Sequence, residues 1–169
     1  MAARRQAPRG PVEVLEERAR ALARPITPPP AGDTLKAITF ALAGETYAIE
    51  SRYVIEVFRL KELSPLPGAE APVFAVTAWR GALLVMLDLR SVLGLPISAL
   101  NDLSRVIVMG TDRPAFGILA DAVRDLVTFT ASEVRPRAEG VAASGGYVRG
   151  VTTGAVLVLD AGRLLSLHT

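Results

Sequence analysis

From residue 35 onward, apolar and polar positions alternate with a period of two, the signature of short strands with one buried face. In "AITFALAGETYAIES", Ile38, Phe40 and Leu42 share one face, Gly44 turns the chain, and Tyr47 and Ile49 continue the pattern. "RYVIEVFRL" reads as a third strand, and "SPLPGAEAP", with two prolines and a glycine, reads as a loop. "FAVTAW" and "ALLVML" are strands on either side of Arg80-Gly81. "DLRSVLG" is a single helical turn, with Asp88 capping its first N–H groups and Gly94 closing it, and "LPISALND" is a loop.

Upstream the period differs. "GPVEVLEERARALARP" predicts a helix over about 11–24, with Pro11 at its start and Val12, Leu15, Ala19 and Leu22 on one face. Glu16 and Arg20 form a favourable i,i+4 pair, and Arg18, Arg20 and Arg24 sit toward the C-terminal end. Pro25 ends it, and "PITPPPAGD" is a stiff, extended linker. A helix this short is marginal alone, so it is expected to dock on something. Whether it pads the domain or docks a partner stays open.

After residue 100 the pattern starts again. An offset of 69 residues carries Ile38 to Ile107, Phe40 to Met109, Tyr47 to Phe116, Val54 to Val123 and Glu56 to Asp125. The same offset carries Arg80-Gly81 to Arg149-Gly150; three residues then enter, and Asp88 answers Asp160 as Leu93 answers Leu165. Two copies of one unit are therefore expected, one over about 35–100 and one over about 101–169. Each copy holds about five short strands. Five strands in an open sheet leave edges and a face exposed, so closure into a small barrel is the economical arrangement. The fold class expected is all-β: two SH3-like five-stranded β-barrel subdomains packed on a shared apolar seam, plus the N-terminal helix. Residues 1–33 are helix and Pro-rich linker, and 34–169 are the domain. The repeat leaves open whether strands are exchanged between the barrels.

Composition removes whole classes of chemistry. The 169 residues include no cysteine, which excludes disulfides, thiol catalysis and thiolate metal sites. The one histidine is His168, so a triad would rest on the chain end and a two-histidine metal site cannot form. No cofactor or metal is implied. Residues 1–33 hold six Arg against four acids, while the remainder holds 13 basic and 13 acidic residues. The high pI is thus a property of the tail. With nine aromatics in the chain, a nucleic-acid-binding β-barrel is a weaker alternative. No apolar run is long enough to span a bilayer, and "MAARRQAPRG" has no apolar signal core behind its basic residues, so a cytoplasmic location is expected.

The ordered set "FALAGETYAIESRYVIEVFR", "LSPLPGAEAPVFAVTAWRGALLVMLDLRSVLGL", "RVIVMG", "FGILADAVRDLV", "YVRGV" and "VLVLDAGRLL" resembles the CheW family over residues 35–167. The resemblance implies a double SH3-like barrel without catalytic activity. It also implies an adaptor coupling the cytoplasmic tips of methyl-accepting chemoreceptors to the regulatory domain of the histidine kinase CheA, recruited to receptor arrays. It places Arg80 at the receptor-facing groove and Val54 and Glu56 at its border. Without the family, Arg80 facing water beside a turn glycine serves equally well. Val54 and Glu56, two apart on a strand, are expected on one face. Trp79, Ala78 and Ala75 depart from the family's Leu, Asn and Gly, and Trp79 is expected to be core more than exposed anchor. In "SEVRPRAEGV", Arg135 and Glu139 match the charged positions that contact the kinase, and Gly140 stands where an aromatic is frequent. Arg149 is expected to order a turn. The alternative from another class, a hydrolase using carboxylates in the inter-barrel cleft, finds no supporting spacing.

Overall fold

The computed structural model describes residues 32–97, 104–137 and 146–168. The helix expected over about 11–24, Glu139 and Gly140 lie outside the described residues. The first copy supplies β1 (Thr34–Leu42), β2 (Glu45–Glu50), β3 (Val54–Arg59), β4 (Ser64–Pro65), β5 (Val73–Trp79), β6 (Ala82–Leu87) and the one-turn helix α1 (Leu89–Leu93). The second supplies β7 (Arg105–Gly110), β8 (Pro114–Ala120), β9 (Ala122–Thr130), β10 (Val134–Pro136), β11 (Val148–Thr152), β12 (Leu157–Leu159) and α2 (Ala161–Leu165).

The turns follow from local chemistry. Leu42 pairs with Glu45 across Ala43-Gly44, whose φ values are 50° and 83°, and Trp79 pairs with Ala82 across Arg80-Gly81 at 47° and 79°. Two left-handed central residues match the twist of a two-residue hairpin. Asp88 accepts from the Arg90 N–H and Asp160 from the Arg163 N–H, so both helical turns are capped as their sequence implies. Gly94 closes α1 at φ 68°.

The strands form two six-stranded sheets, ordered β10-β11-β12-β2-β1-β9 and β3-β7-β8-β6-β5-β4. Six strands replace the expected five because each copy adds a stub, β4 or β10, too short to show a period. The two orders are the same once the copies are interchanged: β1 and β2 of the first copy sit in a sheet otherwise made by the second, and β7 and β8 are lent the other way. Antiparallel hairpins account for most pairings, and each lent pair of strands joins its host on both sides, by the parallel pairs β12–β2 and β6–β8 and by the antiparallel pairs β1–β9 and β3–β7. Even the bulges recur. Ile55 in β3 and the Arg124–Asp125 region of β9 interrupt register at corresponding places, as do Phe74 in β5 and Arg149 in β11.

Three apolar clusters result. The largest joins both sheets and both helical turns through Phe40, Ile49, Leu89, Ile107, Phe116 and Leu164. This is the shared seam. One smaller cluster lies on the second sheet around Met86, Val106, Val108 and Leu119, and a still smaller one on the first around Ala37, Ala48 and Val158.

The chain crosses from β8 to β9, and so from one sheet to the other, through the single residue Asp121. Its carboxylate accepts from Arg90 Nη2 at 2.5 Å and from the Ala43 N–H at 2.8 Å, and its own N–H donates to the Ala41 carbonyl at 2.9 Å. Arg90 is 2% exposed, and Asp88 is its second, more distant carboxylate at 3.9 Å.

Tyr47 in the seam stacks on Phe40, ring centroids 5.9 Å apart, and its hydroxyl donates to Glu45 at 2.7 Å. Burial first, and then the Glu45 carboxylate, hold its phenol well above its ordinary value of 10.0. The folded state therefore holds this proton more tightly than the unfolded chain. The resulting stability is complete below about pH 10 and is lost as pH rises beyond it. Urea midpoints are expected to fall above about pH 10, and Tyr47→Phe is expected to flatten that fall.

One landmark of the repeat is misplaced by sequence alignment. Gly150 pairs with Val158 as Ala75 pairs with Met86, and Val158 and Met86 occupy matching places against Ala48 and Gly117. Gly150 therefore answers Ala75, not Gly81. Arg149 lies within β11 and orders no turn. The second copy turns at Thr153–Ala155, with Ala155 at φ 59°, so the β5–β6 hairpin of the first copy is the longer one.

Candidate functional site at the long hairpin

The extra length of β5–β6 carries Trp79, Arg80 and Gly81 to the hairpin tip, where Glu56 of β3 meets them. One oxygen, Glu56 Oε2, accepts from Trp79 Nε1 at 2.9 Å, Arg80 Nε at 3.0 Å and Arg80 Nη2 at 2.9 Å. The Arg80 guanidinium carbon lies 5.0 Å from the centre of the Trp79 ring. A cation over an indole face gains from the ring quadrupole, and guanidinium against carboxylate gives directed, charge-assisted bonds.

This cluster explains why an arginine tolerates the left-handed backbone at the first turn position. That conformation costs a residue with a Cβ on the order of 1–2 kcal/mol. Three contacts to one carboxylate and an indole offset it. The Arg80 side chain is nevertheless 67% exposed against 33% for Glu56, so the guanidinium remains available to a partner.

The cluster forms one wall of a groove lined also by Phe58, Arg59, Lys61, Glu62, Thr77 and Ala78. Thr77 Oγ1 donates to the Glu62 carbonyl at 2.6 Å, which ties the loop after β3 to the hairpin. Sequence reading missed Phe58, Lys61 and Thr77. Two of them had a signal: Thr77 lies two before Trp79 on β5, and Phe58 two after Glu56 on β3, whereas Lys61 lies beyond the end of β3.

Of the residues expected at the receptor site, Glu56, Trp79 and Arg80 come together and Val54 does not. The bulge at Ile55 adds a residue to β3, so alternation fails between Val54 and Glu56. Val54 packs on the shared seam, while Glu56 reaches Trp79, whose ring packs beside the second sheet's own cluster. Trp79 is half-buried, neither wholly core nor a bare anchor. Arg135 is exposed on β10, paired with Val151. Among the described residues, no group of three or more Asp, Glu or His side chains converges as a metal site would require. No described helix is long and apolar enough to cross a membrane.

Comparison with known proteins agrees with this architecture. The chain is 30% identical over 106 residues to the chemotaxis protein CheW of Bacillus subtilis (strain 168), spanning 63% of this chain and 68% of that one. It is 27% identical over 111 residues to the chemotaxis protein CheW of Klebsiella aerogenes, spanning 64% and 67%. The crystal structure of the scaffolding protein TtCheW from Thermoanaerobacter tengcongensis superposes with a TM-score of 0.67 at 19% identity, covering 76% of this chain and 90% of that chain, a likeness of fold. The model of the CheW-like domain matches residues 36–168, from the first strand to the last helical turn, and the chain accordingly belongs to the CheW family.

Proposed function

We propose that this protein is a non-enzymatic adaptor that couples methyl-accepting chemoreceptors to a CheA-type histidine kinase and works in the cytoplasm at receptor arrays. Residues 34–169 are the working module, with 1–33 as an extension. The observation that carries the reading is the hairpin tip. Its backbone is strained and its arginine is held in place, yet that arginine stays exposed beside a groove. Relatives named as chemotaxis and scaffolding proteins support it. Glu56, Trp79 and Arg80 serve the receptor, Val54 supports them from the seam, and Arg135 and Glu139 serve the kinase. Contacts of this size are moderate singly and gain strength from multivalency in an array.

Co-sedimentation with receptor-bearing membranes and the cognate kinase tests this. Arg80→Ala is expected to weaken receptor binding by about 1–2 kcal/mol, roughly ten- to thirtyfold, and to leave kinase binding unchanged. Receptor binding unaffected by Arg80→Ala removes the site. Kinase activity indifferent to added protein removes the coupling role.

A further inference from the structure

The interchange of copies lets each position be compared with its twin, and one cavity differs in kind from its counterpart. It holds about 200 Å³ and opens where β2 and the end of α1 meet β11 and β12. Leu93, Leu95, Val148 and Leu157 form its apolar walls, and Glu45, Tyr47 and Arg137 bring the polar groups. The Tyr47 hydroxyl donates to Glu45 at 2.7 Å, and Arg137 is near enough to act on that hydroxyl through its charge. Tyr47 is buried, Arg137 half-buried and Glu45 exposed.

The twins follow from strand register. Val158 pairs with Ala48 as Met86 pairs with Gly117, so one residue earlier Leu157 answers Val85 and Tyr47 answers Phe116. Val148 pairs with Leu159 as Val73 pairs with Leu87. Pro136 pairs with Gly150 as Pro65 pairs with Ala75, so Arg137 answers Leu66. Glu45, two before Tyr47, answers Pro114. The apolar walls are therefore apolar in both copies, whereas the three polar residues have Leu, Phe and Pro as twins. Folding alone gives no reason for that exchange. Phe116 fills its place wholly buried and with no hydroxyl to satisfy. A phenol there needs an acceptor, and charges beside apolar walls carry a desolvation cost.

We propose that this cavity binds a small apolar α-amino acid. Its carboxylate pairs with Arg137, its ammonium with Glu45, and its side chain lies against Leu95, Val148 and Leu157. Opposite charges that both bear on one hydroxyl suit a ligand carrying both charges on one carbon. A guanidinium has five N–H donors and a carboxylate about four acceptor sites, so each can serve a ligand beside its present contacts. The volume, the share of about seven liquid waters, admits a small molecule and not a peptide segment. The walls come from both copies, β2 and α1 from the first and β11 and β12 from the second, so an occupant ties the copies together. The inference stands apart from the adaptor reading and needs neither of its partners.

Calorimetric titration of the full chain with L-leucine tests it, beside isocaproate, which lacks the ammonium, and isoamylamine, which lacks the carboxylate. L-Leucine is expected to bind with a Kd of about 0.1–1 mM, a strength its size allows, and to raise the melting temperature. Both truncated analogues are expected to bind at least about tenfold more weakly, as is L-leucine to Arg137→Gln or Glu45→Gln. Leu157→Phe fills the cavity and is expected to abolish binding. No binding of L-leucine at about 10 mM overturns the site. Isocaproate or isoamylamine binding as well as L-leucine overturns the assignment to an amino acid. Binding that survives the charge substitutions and Leu157→Phe puts the ligand elsewhere and overturns the inference. If Leu157→Phe does not fold, the two charge variants decide, and unchanged affinity in both overturns it.

Discussion

Asp121→Ala is expected to cost about 3–5 kcal/mol of folding stability. The residue it strands is Arg90, 2% exposed, whose short ion pair is with Asp121 and whose other carboxylate, Asp88, is 3.9 Å away. Removing the partner of a buried charge leaves its desolvation uncompensated. The same substitution also removes the acceptor for the Ala43 N–H at the first hairpin turn. Arg90→Met is expected to cost much less, because it removes the buried charge and keeps the volume. Urea denaturation of both variants checks the ordering. Equal losses for the two would mean that the pair matters through packing and not through charge.

Glu56→Arg is expected to reduce receptor binding by about 2 kcal/mol or more, at least thirtyfold, with kinase binding retained. The substitution sets two guanidiniums against each other where one carboxylate accepted three bonds. It also deprives Trp79 Nε1 of its acceptor and Arg80 of the contact that offsets its left-handed backbone. The hairpin tip should lose its single arrangement while the sheets persist, since Glu56 belongs to none of the three apolar clusters. Receptor binding measured beside Trp79 fluorescence separates the two effects. Altered emission with intact binding would show that the receptor does not use this cluster.

Much of this architecture could be read from residue order. The alternation in "AITFALAGETYAIES", the Gly44 turn, the Asp88 and Asp160 caps and the Arg80-Gly81 hairpin are local, and local rules suffice for them. The failures share a cause. Register depends on the partner strand, and neither the bulge at Ile55 nor the one at Arg149 leaves a mark in a single strand's pattern. Val54 and Glu56 share a face only in the strand's residue pattern, and Arg149-Gly150 resembles the Arg80-Gly81 turn only in its two identical residues. Strand exchange was illegible for a related reason: two like copies present the same faces whether each keeps its own first hairpin or lends it. Arg137 as the twin of Leu66 becomes visible only through the pairings of β10 and β4.

The lending of hairpins has a consequence for synthesis. When the first half of the chain has left the ribosome, β3 still lacks β7, β6 still lacks β8, and β1 still lacks β9. Neither half-molecule can finish a sheet by itself, so a nascent chain stopped between the copies should remain unfolded, and separately expressed halves should become ordered only when mixed. Folding of the whole is expected to be slow for its size, since the pairings that complete each sheet are distant along the chain.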